Sequence, residues 1–217
     1  MQYEEFPFNE FLFNNETSVL LDACFLLAIC NENDKKYEEC LETFEMLEKS
    51  NSKLYITTIV WAEVLNVIIN KLFVQDIRYK LDKTEPMNKV NNINVIVKNF
   101  DRKHKEKLSN YKKADKIPYK MYFNKIYKDK VNRNLLNIYF EEAVKIQKLI
   151  QERLKTKHVS LNKDSFELAR KHVEVNHLHL NDASHLAASE QKSITYLLTL
   201  DGDFSKVGNS AVKCLKI

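Results

Sequence analysis

Glycine is almost absent from this chain of 217 residues, which has only two, Gly202 and Gly208. A glycine-rich phosphate loop and the dinucleotide-binding fingerprint each need several glycines close together, so neither can be built here. Proline is also rare, and the four cysteines lack the spacing of a metal-binding pair. Cys24 and Cys30 lie in an apolar stretch, and we expect them to be reduced core residues.

Long apolar runs are missing as well. No uninterrupted apolar stretch reaches the roughly 20 residues that a membrane helix needs. The acidic N-terminus lacks the basic-then-apolar pattern of a signal peptide. We therefore expect a cytoplasmic protein without a membrane partner. Apolar residues nevertheless make up 44% of the chain, which is enough for a sizeable core.

Positive charge is concentrated in one segment. Residues 98–133 contain 13 Lys or Arg and 4 Asp or Glu, a local net charge of +9, whereas the whole chain carries +4. Cations bind phosphates and aromatic rings stack on unpaired bases, so one interpretation is an RNA-binding surface that includes Lys112, Lys113 and Lys116. The other is a solvated helical face whose aromatics form a small core. The aromatics concerned are Phe100, Tyr111, Tyr119, Tyr122, Phe123 and Tyr127.

Short apolar segments alternate with helical patterns at both ends of the chain. SVLLD (18–22), KLYITT (53–58) and SITYLLTL (193–200) have the length and composition of buried strands. The final AVKCLKI could be an edge strand, and residues 1–17 look like a loosely attached lead-in. The alternation predicts an α/β fold in which helices flank a central parallel sheet. We expect one domain over 1–217, with a largely helical basic insertion.

Four carboxylates each sit just after a short apolar run: Asp22, Glu63, Asp182 and Asp201. The carboxyl ends of parallel strands meet at one edge of a sheet, where four acids would repel one another unless a cation neutralised them. Oxygen ligands suit Mg²⁺ or Mn²⁺, and such an ion can polarise a phosphate and activate water. Thr199 would lie on the same side of its strand as Asp201 and could orient water or a ligand carboxylate.

Each acid also has a purely structural interpretation. Asp22 could be the N-cap of the helix that follows it, and Asn181 or Asp182 could cap a late helix. Glu63 could lie exposed on a narrow polar stripe. Asp201 could simply belong to a turn.

The order and spacing of four segments resemble the PIN-domain nucleases, most closely the VapC-type toxin ribonucleases of toxin–antitoxin pairs. The matching segments are VLLDACFLLA, YITTIVWAEVLNVI, LNDASHLAA and LLTLDGDF. The resemblance covers a core of roughly 18–72 and 160–217, and it leaves 73–158 as the insertion. It implies a PIN-like sheet and a Mg²⁺- or Mn²⁺-dependent endoribonuclease, in which metal-activated water leaves a 5′-phosphate and a 3′-hydroxyl.

By this resemblance, Asp22, Glu63, Asp182 and Asp201 are the catalytic metal ligands, and Asp203 is an accessory acid. The toxin branch of the family implies an RNA substrate, a homodimer and a small inhibitory antitoxin. Two alternatives stay open: a catalytically inactive RNA-binding PIN scaffold, and a DNA-directed nuclease of the same fold.

Overall fold

The structure is a computed structural model that describes residues 1–81, 93–108 and 114–217. Two compact units make up the chain: 1–64 with 150–217, and 65–149. The second unit starts and ends earlier in the chain than the insertion expected over 73–158. Lys112, Lys113 and Tyr111 lie outside the described residues, so their predicted role is not addressed by the structure.

The first unit contains a six-stranded, all-parallel sheet with the strand order β1–β6–β5–β2–β3–β4. The strands are β1 (Tyr3–Glu5), β2 (Ser18–Leu21), β3 (Lys53–Thr57), β4 (Lys157–Val159), β5 (Tyr196–Thr199) and β6 (Lys213–Lys216). The prediction of an α/β fold with a central parallel sheet is therefore confirmed.

Helices account for most of the remaining described residues. They are α1 (Ala23–Ile29), α2 (Tyr37–Lys49), α3 (Thr58–Leu81), α4 (Ile93–Lys98), α5 (Arg102–Leu108), α6 (Tyr119–Lys128), α7 (Asn137–Leu154), α8 (Lys163–Asn176) and α9 (Leu180–Gln191), with 3₁₀ turns at Glu10–Leu12, Arg133–Leu136 and Asp203–Lys206. A reciprocal capping box of Asn162 and Ser165 starts α8, which explains why that helix begins where it does.

Both faces of the sheet are covered. Every residue of β2 and β5 is buried, as expected for strands in the middle of a parallel sheet. Leu20 and Leu197 belong to a core that they share with α8 and α9. Because neighbouring residues of a strand point to opposite faces, the fully buried Val19, Leu21 and Leu198 pack on the other side of the sheet.

Both edges of this sheet differ from the expectation based on the sequence. Residues 1–17 are not a loose lead-in, because β1 pairs in parallel with β6, with Tyr3 opposite Cys214. The prediction that AVKCLKI forms a strand is confirmed by β6, but its expected position at the edge is wrong, since β6 lies between β5 and β1. At the other edge, β4 pairs with β3. Cys30 is also not a core residue, because it is exposed at the end of α1.

The second unit has an aromatic core of its own. Phe73 packs edge-on against Phe123 and Tyr139, with ring centres 5.3 and 5.5 Å apart. Phe100 stacks on Tyr122 at 3.8 Å. Phe100, Tyr119, Tyr122 and Phe123 are all buried there, so the interpretation that these four stack on RNA bases is wrong and the small-core interpretation is confirmed for them.

Among the described residues, one helix is long and apolar enough to span a membrane when judged by length and composition alone. This helix segment is Thr58–Arg78 of α3, and its mean hydropathy is 1.3. A single helix of this kind is weak evidence, because the core helices of soluble proteins pass the same test.

Candidate active site

Three neighbouring strands end at the same place on the sheet edge. Asp22 directly follows β2, Thr199 is the last residue of β5, and Thr57 is the last residue of β3. From β2 the chain continues to β3 on one side, while β5 flanks β2 on the other. The carboxyl ends of these strands therefore frame a topological switch point, the usual position of ligand sites in open α/β sheets.

Asp22 is held by several donors at once. Only 6% of its surface is exposed, and its Oδ1 accepts the Ala23 N–H at 2.6 Å, so it does cap α1. Its Oδ2 accepts from Thr199 Oγ1 at 2.7 Å and from the Cys24 thiol at 2.9 Å. Burial and the charge of Asp22 raise the pKa of Cys24, which keeps this thiol protonated as a donor. Capping and a place in the acidic site are thus compatible for Asp22.

Glu63, on the second turn of α3, is engaged with two residues of α9. Its Oε1 accepts a hydrogen bond from the Asn181 amide, and its Oε2 lies 3.7 Å from Nε2 of His185. His185 and Asn181 hold the pKa of Glu63 below its ordinary value, although burial acts in the opposite direction. Glu63 is therefore not simply turned to solvent on a polar stripe.

His185 is the residue that brings the carboxylates together. Its side chain is fully buried, with Nδ1 3.3 Å from Oγ1 of Thr57 and Nε2 3.9 Å from Oδ1 of Asp22. Nε2 has no hydrogen-bond partner. One ligand atom each from Asp22, Glu63 and His185 lies within 4.8 Å of the other two, which is the size of a metal-binding group.

Asp182 lies one turn before His185 on α9, so the two side chains share a face of the helix. Burial, and then the negative charge of Asp22, raise the pKa of Asp182 to about 6, with smaller contributions from Asp201 and Glu63 and opposition from His185. The charges of the other three predicted acids, Asp22, Asp201 and Glu63, therefore all act on Asp182. The N-cap of α9 is His179, so the proposal that Asn181 or Asp182 caps this helix is wrong.

Asp201 and Asp203 form the exposed rim of this cluster. The Asp201 N–H donates to Thr199 Oγ1 at 2.9 Å, and the Asp201 carboxylate accepts the Asp203 N–H at 3.0 Å. Lys206 Nζ lies 2.6 Å from the Asp203 carboxylate and lowers its pKa. The charge of Asp203 is therefore already compensated within the protein, in contrast to that of Asp182.

Three residues of the cluster were not predicted to belong to the site: His185, Thr57 and Asn181, the last of which was considered only as a helix cap. A signal for the first was available, because His185 follows Asp182 by three residues in a helix whose other buried positions are small or aliphatic. Of the predicted RNA-binding lysines, Lys116 is described and is exposed in the second unit.

Comparison with known proteins identifies no family for this chain. A scan against protein-family models gave no match, and a search of curated proteins gave no significant match. The likeness to PIN-domain nucleases therefore rests on the motif residues and on the arrangement described above.

Proposed function

We propose that this chain is a metal-dependent endoribonuclease with a PIN-like fold, which hydrolyses RNA phosphodiester bonds. The observation that carries the proposal is the gathering of Asp22, Glu63 and His185 at the carboxyl ends of β2, β3 and β5, with Asp182 close enough to be repelled. The described residues explain part of this arrangement, since Asp22 caps α1 and Thr57 contacts Nδ1 of His185, but they leave Nε2 of His185 without a hydrogen bond.

The donor set fits a divalent cation. Two carboxylates supply oxygen atoms, a third is destabilised by their charge, and a buried nitrogen of His185 lacks a hydrogen bond. Asp22, Glu63 and Asp182 would hold Mg²⁺ or Mn²⁺, with Asp201 at the rim. When bound, such an ion would lower the pKa of a water molecule and neutralise charge on the phosphate.

The chain's own residues supply orientation. Thr199 and Cys24 fix Oδ2 of Asp22, and Asn181 fixes one oxygen of Glu63, so neither carboxylate is free to rotate. Lys206 lies at the rim of the site. Its pKa is raised mainly by Asp203, and to a smaller extent by the negative charges of Asp201 and Asp182. A cation in this position can contact an approaching phosphate.

The biological setting that the resemblance suggests is also part of the proposal. We propose that the protein acts in the cytoplasm as the toxin of a toxin–antitoxin pair, with a small antitoxin protein as inhibitor and a homodimer as its assembly. Co-expression with the neighbouring open reading frames tests this directly: one of them should relieve growth inhibition that the chain causes and that Asp22→Asn does not.

Cleavage of a fluorescent single-stranded RNA tests the enzymatic proposal. Activity should require Mg²⁺ or Mn²⁺, disappear with EDTA and return when the ion is restored. The products should carry a 5′-phosphate. Asp22→Asn should abolish cleavage, whereas Asp164→Asn, a matched change at an exposed acid in the first turn of α8, should not.

Two other outcomes separate the alternatives. RNA binding without any cleavage in Mn²⁺ would indicate an inactive scaffold, and the enzymatic proposal would then be wrong. Faster cleavage of single-stranded DNA than of RNA of the same sequence would indicate a DNA-directed nuclease of the same fold.

A further inference from the structure

We propose that His185 supplies a nitrogen ligand to the cation through Nε2, and that the site consequently prefers Mn²⁺ to Mg²⁺. This inference rests on the proposed function, since it adds a ligand to the same metal site. It is carried by the position and environment of the His185 ring.

Nε2 of His185 is an unsatisfied buried nitrogen. His185 is 0% exposed, and its Nε2 is buried without a hydrogen-bond partner. Buried polar atoms are nearly always paired, so an exception requires an explanation. The ring is directed at the two acids, because Nε2 lies 3.9 Å from Asp22 Oδ1 and 3.7 Å from Glu63 Oε2.

The distances from Nε2 of His185 to the carboxylate oxygens of Asp22 and Glu63 also favour a shared ion. Both distances exceed the roughly 3.2 Å limit of a good hydrogen bond. Two atoms that bind one ion at about 2.1 Å each can be up to about 4.2 Å apart. The separations between Nε2 and the two carboxylate oxygens therefore suit atoms that face a common ion better than atoms that bond to each other.

The other ring nitrogen of His185, Nδ1, has a partner in Thr57. A histidine that binds metal usually donates its second ring N–H to a protein acceptor, which fixes the tautomer. Thr57 Oγ1 lies 3.3 Å from Nδ1, and it is anchored at the end of β3 by the Val60 N–H at 3.2 Å. If Nδ1–H donates to Thr57, Nε2 keeps its lone pair and directs it between the carboxylates.

A nitrogen ligand changes which ion the site selects. Mg²⁺ strongly prefers oxygen ligands, whereas transition ions accept imidazole readily. The four acids alone would suit either ion. With His185 included, the site should bind Mn²⁺ at least about tenfold more tightly than Mg²⁺.

The experiment is pulsed EPR on the full chain loaded with Mn²⁺. Nitrogen-14 modulation typical of a bound imidazole should appear in the wild type and disappear in both His185→Gln and His185→Asn. Gln places an amide near the position of Nε2, and Asn retains a polar group near Thr57 but has nothing at Nε2. The control is His179→Asn, an exposed histidine at the rim whose role as N-cap of α9 Asn can fill.

Titration of the same proteins with each ion gives the second measurement. Both His185 variants should weaken Mn²⁺ binding about tenfold or more and leave Mg²⁺ binding within about threefold. If the variants do not fold, ¹⁵N-histidine NMR of the wild type with Zn²⁺ as a diamagnetic probe replaces them. One buried Nε2 resonance should then shift on binding.

The outcomes distinguish the two proposals. Bound Mn²⁺ without nitrogen modulation, or modulation that persists in both variants, would overturn the assignment of His185 and leave the proposed function intact. His185 would then position the carboxylates instead of binding the ion. Mn²⁺ binding that Asp22→Asn does not weaken would overturn the metal site itself, and the proposed function with it.

Discussion

Replacing Asp182 by Asn should stabilise the metal-free protein. The carboxyl of Asp182 has a pKa of about 6 instead of the ordinary 3.8, because burial and the charge of Asp22 disfavour its ionised form. The ionised side chain is therefore destabilised at neutral pH in the absence of a cation. Asn has almost the same volume and no charge, so the variant removes the repulsion and keeps the packing.

The size of the effect follows from the pKa. A difference of about two pKa units corresponds to about 3 kcal/mol between the two protonation states. Asp182 is only half-buried, so solvent screens much of this repulsion, and we expect a gain of about 1 kcal/mol. For a chain of this length, 1 kcal/mol raises Tm by about 2–4 °C.

The gain should depend on pH in a defined direction. The folded-state pKa of Asp182 is raised, so its protonated form favours folding below pH 3.8, and this contribution is lost as pH rises to about 6. The difference between Asp182→Asn and the wild type should therefore be small at pH 4 and complete at pH 7. Excess Mn²⁺ should reverse it, because the wild type gains more from binding the ion.

Urea unfolding without metal, measured from pH 4.5 to pH 7.5, tests this reasoning. Asp203→Asn is the matched control within the same cluster, since Lys206 lowers the pKa of Asp203 and its charged form favours folding at neutral pH. That variant should not gain stability. If Asp182→Asn is no more stable than the wild type at pH 7, the carboxylates do not repel one another and the proposed site is wrong.

Four further variants test other residues of the site and the basic segment. Asp22→Asn should abolish cleavage but gain less stability than Asp182→Asn in urea unfolding, because three donors satisfy its carboxylate: the Ala23 N–H, the Thr199 hydroxyl and the Cys24 thiol. Thr199→Val should cost about 1–3 kcal/mol in the same assay, since it removes a buried donor to Asp22, while Thr199→Ser should cost less. Changing Lys112, Lys113 and Lys116 together to Glu should weaken RNA binding. It should also flatten the plot of log affinity against log salt concentration, whose slope is about 0.7 per neutralised phosphate on a single strand. Unchanged affinity would exclude this surface as an RNA-binding site.

The central strands were predictable from the sequence because they are largely buried. β2, β3 and β5 appear as short apolar runs. Asp22 directly follows β2, and β3 and β5 each end in a threonine at the sheet edge. β1 and β4 were not predictable, since each has three residues and too few alternating positions to give a periodic signal. Their pairing partners, β6 and β3, decide that these segments become strands.

The residues of the candidate site also differ in how far they could be predicted from the sequence. The carboxylates could be predicted because an acid after an apolar run is unusual in a buried position. The spacing of His185 from Asp182 indicates that the two side chains share a helix face, but it does not reveal the role of His185, because a histidine on an apolar helix is most often a satisfied core residue. Only the tertiary structure reveals that its Nε2 lies between Asp22 and Glu63 and has no partner.

The basic segment shows what a composition argument omits. Four of its aromatics lie in the core of the second unit, and the buried positions of α6 recur at helical spacing over Tyr119, Tyr122, Phe123 and Ile126. These rings are consequently unable to stack on bases. Tyr127 is the described aromatic of this segment that stays exposed, at 41%, so any RNA affinity of the described part would come from this ring and from exposed cations such as Lys116, which are suited to phosphates. Binding through this surface should therefore be sensitive to salt and insensitive to sequence, and selection of the cleavage site would have to arise at the carboxylate site.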